Sequence, residues 1–186
     1  MAPPANLAPD LPTSLGRRAA AIRLLALDVD GVLTDGTVYY DGDGESVKAF
    51  NIMDGLGIRL LERAGIRTAI ISARDSAPLR RRAADLGIDL TWFGEHDKVR
   101  AWTTLLDNQG LDAEQAAFMG DDLIDLGVLA RAGLALAPAN GHPAVRERAH
   151  YVATREGGHG AVREVAEMLL AAQGSLDDII ASYAAG

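Results

Sequence analysis

Leu24-Leu25-Ala26-Leu27-Asp28-Val29-Asp30-Gly31-Val32-Leu33-Thr34-Asp35-Gly36 is the stretch from which the fold is read. Its first half is a short apolar run, as expected of a strand covered on both faces. The run ends in two acids one residue apart, and Gly31 follows where the chain must turn. Similar runs recur at residues 67–72, 90–93, 116–119, 134–137 and 151–154. Between them lie segments with helical spacing at 58–63, 77–86, 98–108, 123–131 and 143–149. Gly65, Gly87, Gly110 and Gly133 stand where helix C-termini are expected. Alternation of buried strands with crossover helices predicts a doubly wound, Rossmann-like parallel sheet of the α/β class.

One stretch departs from the alternation. Residues 37–40 and 46–50 are β-branched and aromatic, and Asp41-Gly42-Asp43-Gly44 lies between them, which predicts a β-hairpin. An EF-hand calcium loop would need Gly at Ser46 and Glu at Ile52, so the acids belong to a turn. A final helix is expected at 161–172. The expected domain covers residues 21–174, with a disordered tail at 1–20 and a C-terminal tail at 175–186.

Composition narrows the function. The 186 residues suit a single domain, and 48% apolar with 24% charged residues is an ordinary globular balance. The net charge of −8 and the lack of a basic stretch disfavour nucleic acid and anionic membranes as partners. No apolar run reaches the ~18 residues of a membrane span. The Pro- and Ala-rich residues 1–15 make a poor secretion signal. Cysteine is absent, so disulfides and thiolate metal sites are excluded and a cytoplasmic location is expected.

In a doubly wound sheet, ligands bind beyond the carboxyl ends of the strands. The first strand delivers Asp28 and Asp30 there, the second Ser72, and the fourth Gly120-Asp121-Asp122 with Asp125 one turn on; Lys98 opens the helix after the third. Phosphate ester oxygens repel an anionic nucleophile, so a carboxylate attacking phosphorus needs a cation beside it. Asp28 and Asp121 can hold Mg²⁺, a hard ion that prefers carboxylate oxygens. Ser72 and Lys98 can bind phosphoryl oxygens. Asp30, two residues along from Asp28, can protonate the leaving alcohol and then activate water. Taken singly, Ser72 reads as a helix cap, Lys98 as a solvated lysine, and Asp122 equally as an N-cap or a ligand. His96, His142 and His150 lack metal-ligand spacing.

At these residues the chain resembles the haloacid-dehalogenase superfamily of phosphohydrolases. Asp28-x-Asp30-Gly-Val, Ser72, Lys98 and Gly120-Asp121-Asp122-x-x-Asp125 match its four motifs in order. The resemblance implies Asp28 as nucleophile and Asp30 as acid/base. It implies magnesium held by Asp28, the Asp30 carbonyl and Asp121, with Asp122 and Asp125 supporting from behind. The hairpin, Phe50-Asn51-Ile52-Met53-Asp54-Gly55-x-Gly57-Ile58 and Gly157-Gly158-x-Gly160-Ala161-Val162-Arg163-Glu164 narrow the resemblance to its sugar-acid phosphatases. That branch implies 3-deoxy-D-manno-octulosonate 8-phosphate as substrate, in lipopolysaccharide synthesis, with a nonulosonate 9-phosphate as rival. Met53 and His159 stand where some members carry arginine. Substrate contacts are implied for Asn51, Asp54, Gly55, Arg59, Arg74, Arg82, Lys98 and His159.

The intervals from Asp28 to Ser72 and from Ser72 to Lys98 leave no room for a cap domain. The resemblance therefore implies a capless homotetramer in which hairpins pack together and neighbours cover each site. It also implies a C-terminal segment that reaches a neighbouring site, although Leu176, Ile179 and Ile180 equally suit packing on their own subunit. Signalling receiver domains share the doubly wound build but carry their acidic pair at the first strand and a lone phosphorylated Asp at the third. This chain has its acidic pair at the fourth, which disfavours that reading, and a catalytically silent relative would not need every reactive group present.

Overall fold

In the computed structural model, residues 12–42 and 44–185 are described. Their elements in chain order are α1 (Thr13–Ala21), β1 (Leu24–Leu27), β2 (Tyr39–Asp41), β3 (Gly44–Val47), α2 (Ile52–Arg63), β4 (Arg67–Ser72), α3 (Ala77–Leu86) and β5 (Leu90–Phe93). They continue with α4 (Lys98–Gln109), β6 (Ala116–Met119), α5 (Leu126–Leu129), β7 (Leu134–Ala137), α6 (Pro143–Arg148), β8 (Tyr151–Val152), α7 (Ala161–Ala172) and α8 (Leu176–Ala185).

Six strands form one parallel sheet in the order β5-β4-β1-β6-β7-β8. Because successive side chains point to opposite faces, each strand feeds two cores. Leu25 and Leu27 of β1, Ile70 of β4, and Ala117 and Met119 of β6 pack with α1, α2, α3 and α7. Leu24, Ala26, Ala69, Ile71 and Phe118 pack on the other face with Trp102 and Leu105 of α4 and Val128 of α5. This two-sided burial explains why the strands carry almost no polar residues until their carboxyl ends. The crossovers leave β1 toward β4 on one side and return to β6 on the other, so a crevice opens at the ends of β4, β1 and β6.

The hairpin is present as β2 and β3, shorter than the sequence pattern suggests and shifted toward its turn. Only the hairpin and α2 lie between β1 and β4, and only α3 and β5 lie between β4 and α4. Among the described residues there is no cap domain.

β8 ends at Val152, two residues short of the expected strand, and three larger differences from expectation have a physical cause. α2 starts at Ile52, six residues before the periodic segment at 58–63, because Asn51 caps it by accepting from the Met53 N–H. Gly55 and Gly57 disguise that first half, and close packing requires them: a Cβ at Gly57 would crowd Arg163 and Ala166 of α7. The segment at 123–131 splits into a 3₁₀ turn at Leu123–Asp125 followed by α5. The tail expected through residue 20 gives way to α1 from Thr13, with Ala19 fully buried and Leu15 nearly so against α7; residues 1–11 lie outside the described residues.

The C-terminal segment likewise forms helix α8. Leu176 is buried, Ile179 packs against the core, and Arg63 donates to the Tyr183 hydroxyl at 2.8 Å. In this conformation α8 lies on its own subunit. No helix among the described residues is long and apolar enough to cross a membrane.

If α1 is part of the core, Leu15→Ala will destabilise the protein by about 2 kcal/mol, lowering the melting temperature by roughly 5 °C. A melting temperature equal to wild type would return residues 13–20 to the status of a tail.

Candidate active site

β1 ends by hydrogen-bonding the Asp28 N–H to the Met119 carbonyl, which places the Asp28 side chain at the mouth of the crevice. The chain then winds into a tight turn. The N–H groups of Val32, Leu33 and Thr34 all point to the Val29 carbonyl, and the Thr34 hydroxyl accepts from Gly31 and Gly36. Gly31 is required twice over: its φ is +88°, and a Cβ there would overlap the Asp121 carboxylate. Behind this turn runs the glycine loop before α7. Gly158 donates to the Val32 carbonyl at 2.9 Å, and any side chain at Gly157 would collide with the Gly31 carbonyl. The loop is therefore a backstop for the Asp28–Asp35 turn.

Asp28, Asp30, Ser72, Arg74, Asp121 and Ile124 line a cavity of about 280 Å³. Beneath it, the Lys98 ammonium lies 2.8 Å from Asp28 Oδ2 and 2.7 Å from Asp125 Oδ1. Asp125 is fully buried, and its second oxygen accepts from the N–H groups of Asp121 and Asp122. Both of its oxygens are thus engaged, one by Lys98 and the other in shaping the loop after β6. Asp122 caps the following turn through the Leu123 N–H. The Ser72 hydroxyl accepts from the Arg74 N–H at 3.1 Å and is buried at the cavity wall.

Burial, then the charge of Asp125, pushes the Asp28 carboxyl up to about 7, against the pull of Lys98. Burial, then the charges of Asp28, Asp125 and Asp122, raises Asp121 to about 7 as well. Burial alone would lower Lys98, but Asp28 and Asp125 outweigh it and hold the ammonium charged, with a raised pKa. Oxygens of Asp28, Asp121 and Asp125 lie within 4.8 Å of one another. Asp121 Oδ1 is buried and, among the described residues, has no hydrogen-bond partner. A buried acceptor without a donor is costly, and a cation between Asp28 and Asp121 would remove both that deficit and the repulsion. The donor set is all oxygen, which suits a hard divalent ion such as Mg²⁺.

Not every residue singled out from the sequence meets in this cavity. Asp54 is buried and accepts from the N–H groups of Gly160 and Arg163, so it caps α7; burial raises its pKa against those hydrogen bonds. Asn51 caps α2 and donates to the Gly158 carbonyl. Gly55 makes room for the Arg82 guanidinium, which donates to the Asn51 carbonyl and stacks 5.6 Å from the centre of the Phe50 ring. Arg59 donates to the Asp85 carbonyl. Arg59 and Arg82 flank a separate open groove with Ile52 and Leu56. His159 Nδ1 lies 2.9 Å from the Gly157 carbonyl. Within one chain, therefore, Asn51, Asp54, Gly55, Arg59, Arg82 and His159 shape the scaffold around the site and do not line it.

Sequence reasoning passes over Lys48 and Glu45. Lys48 lies just past β3, in contact with Asp30 Oδ1 and 3.0 Å from Glu45. A lysine beside Val47, Ala49 and Phe50 in a hairpin reads as solvated, and no local signal marks it as buried.

Comparison with known proteins agrees with this geometry. Residues 92–165 match the model of the haloacid dehalogenase-like hydrolases. The chain is 48% identical to the 3-deoxy-D-manno-octulosonate 8-phosphate phosphatase of Yersinia pestis over 161 residues, covering 87% of this chain and 86% of that protein. The crystal structure of the same-named Yersinia pestis phosphatase superposes with a TM-score of 0.88 at 46% identity, covering 90% of each chain. The phosphatase of Moraxella catarrhalis, solved with magnesium, phosphate and a KDO molecule, gives a TM-score of 0.88 at 41% identity, covering 91% of this chain and 97% of that one.

The crowding at Asp121 yields a test independent of turnover. Without divalent metal, Asp121→Asn will melt at or above the wild-type temperature, because it removes a repelled charge. Millimolar Mg²⁺ will raise the melting temperature of wild type and leave the variant unmoved. Equal stabilisation of both proteins would remove Asp121 from the metal site.

Proposed function

The chain belongs to the haloacid dehalogenase-like hydrolases, among their 3-deoxy-D-manno-octulosonate 8-phosphate phosphatases, and from that premise we propose that it hydrolyses 3-deoxy-D-manno-octulosonate 8-phosphate to the free sugar acid and phosphate. The observation that carries the reading is the meeting of Asp28, Asp30, Ser72 and Asp121 in one cavity with Lys98 beneath. Identity of 41–48% with phosphatases of that name supports the substrate.

An Asp28 oxygen attacks phosphorus in line with the ester oxygen. The P–O ester bond breaks, Asp30 gives its proton to the departing alkoxide, and an aspartyl-phosphate remains. Asp30, now ionised, takes a proton from water, whose oxygen attacks phosphorus and releases Asp28. Ser72 and Lys98 bind the non-reacting phosphoryl oxygens. Asp28, Asp121 and the Asp30 carbonyl would hold Mg²⁺, which when bound would supply charge neutralisation and alignment of the phosphoryl group. Asp122 and Asp125 order the loop that carries Asp121.

A capless site needs cover. Tyr39, Tyr40 and Val47 on the hairpin are exposed apolar side chains, as are Ile52 and Leu56 on α2, which line the groove with Arg59 and Arg82. This surface supports a homotetramer in which a neighbour covers each site and brings Arg59, Arg82 or His159 toward the substrate carboxylate, with Arg74 acting from within. Product would feed lipopolysaccharide synthesis, and the cysteine-free sequence supports a cytoplasmic location.

Asp28→Asn will remain folded and lose at least about 10³-fold in turnover, because an amide is a poor nucleophile and a poor ligand. The octulosonate 8-phosphate will have a higher kcat/KM than a nonulosonate 9-phosphate. Preference for a simple hexose phosphate would sink the assignment of the sugar acid. Light scattering will give the mass of a tetramer, and a fully active monomer would contradict the shared-site arrangement.

A further inference from the structure

Lys48 has a side chain with no exposure at all, on a hairpin whose neighbouring residues Tyr40 and Val47 face solvent. A lysine is seldom buried unless its charge is met. Here it is met by two carboxylates, Asp30 Oδ1 and Glu45. Both carboxylates also attract Arg74, whose Nε lies 3.6 Å from Asp30 Oδ2 and whose Nη1 lies 3.8 Å from Glu45. Arg74 in turn donates to the Tyr40 hydroxyl at 3.1 Å. The hairpin is thus fastened to the cavity wall through charged groups, with Lys48 as the innermost.

The consequence concerns one bond rotation. Asp28 is fixed from below by Lys98, but Asp30 stands on a turn at the cavity wall with 22% of its side chain exposed. An aspartate there has several accessible rotamers. Proton transfer to a leaving oxygen requires the carboxyl within hydrogen-bond reach, and a displacement of about 1 Å costs on the order of 100-fold in rate. Lys48 engages Oδ1, which fixes the side-chain torsion and turns Oδ2, with Arg74 Nε 3.6 Å away, toward the cavity as the oxygen that exchanges the proton. Glu45, 3.0 Å away, holds the ammonium as well.

We propose that Lys48 is a positioning residue for Asp30, set into the hairpin so that the acid's carboxylate is held toward the leaving-group oxygen. The inference rests on the assignment of Asp30 as general acid, and the experiment separates the two. A sugar phosphate has a poor leaving group that needs the proton, whereas p-nitrophenyl phosphate expels a stable phenolate without one. The parameter kcat/KM reports phosphoryl transfer to Asp28 and is blind to the later hydrolysis step.

Lys48→Met, which fills the same space without charge, is compared with wild type on both substrates. The expected result is a loss in kcat/KM on the order of 100-fold for the octulosonate 8-phosphate and below about 5-fold for p-nitrophenyl phosphate. Lys48→Gln, which keeps a donor, will show a smaller split of the same sign and serves if the Met variant does not fold. Equal losses on the two substrates would make Lys48 a fastening of the hairpin only, and no loss on either would remove it from the reaction. Asp30→Asn provides the reference. If it shows the split and the Lys48 variants do not, the positioning role falls and the acid stands. If Asp30→Asn shows no split, the assignment of the acid itself falls.

Discussion

The ammonium of Lys98 lies between two buried carboxylates, 2.8 Å from Asp28 and 2.7 Å from Asp125. Each carboxylate would be expensive to bury alone, and together they would repel. The single cation makes their closeness tolerable and ties the end of β1 to the loop after β6. It does not balance the site. Asp28, Asp121 and Asp125 meet one ammonium, and both Asp28 and Asp121 are raised to about 7 by burial and mutual repulsion. The remaining negative charge is what a divalent ion would neutralise, and Asp121 Oδ1 is the acceptor without a donor. The fold invests stability in a site made for two cations, one covalently part of the chain and one drawn from solution.

Around that centre the structure works as a set of backstops. Asp125 uses both oxygens to shape the loop bearing Asp121. Gly157 and Gly158 press against the turn after β1, and Asp54 reaches across from α2 to cap α7 directly behind them. Asp28 is fixed by Lys98, Asp30 by Lys48 and Arg74, and the Asp121 carbonyl by the His142 N–H, each arriving from a different part of the sequence. Precise placement of the carboxylates at a reacting site depends on such support.

Much of this could be read in advance. β1, β4, β6 and β7 are buried on both faces, so their apolar runs stand out, and polar residues appear only at the ends where ligands bind. Asp28, Asp30, Ser72 and Asp121 were legible for that reason. α1 was not, because its short amphipathic stretch follows a Pro-rich segment and its burial depends on α7, far away in sequence. The first half of α2 was hidden by Gly55 and Gly57, whose value lies in the contacts they permit. Asp54 looks like a site residue because it is an acid in a motif; only the tertiary structure reveals that it serves the N-terminus of another helix. Lys48 was invisible for the converse reason. Its sequence neighbours describe a solvated hairpin, and its partners Asp30 and Arg74 arrive from other parts of the fold.

The central claim is that phosphorus passes through Asp28. During turnover of the sugar phosphate with Mg²⁺, rapid quenching and borohydride reduction convert an acyl phosphate on aspartate to homoserine, which peptide mass spectrometry locates. The account predicts homoserine at residue 28 and nowhere else, dependent on substrate. Its absence from residue 28 under conditions of rapid turnover, or its appearance at Asp30 or Asp121 instead, would contradict it.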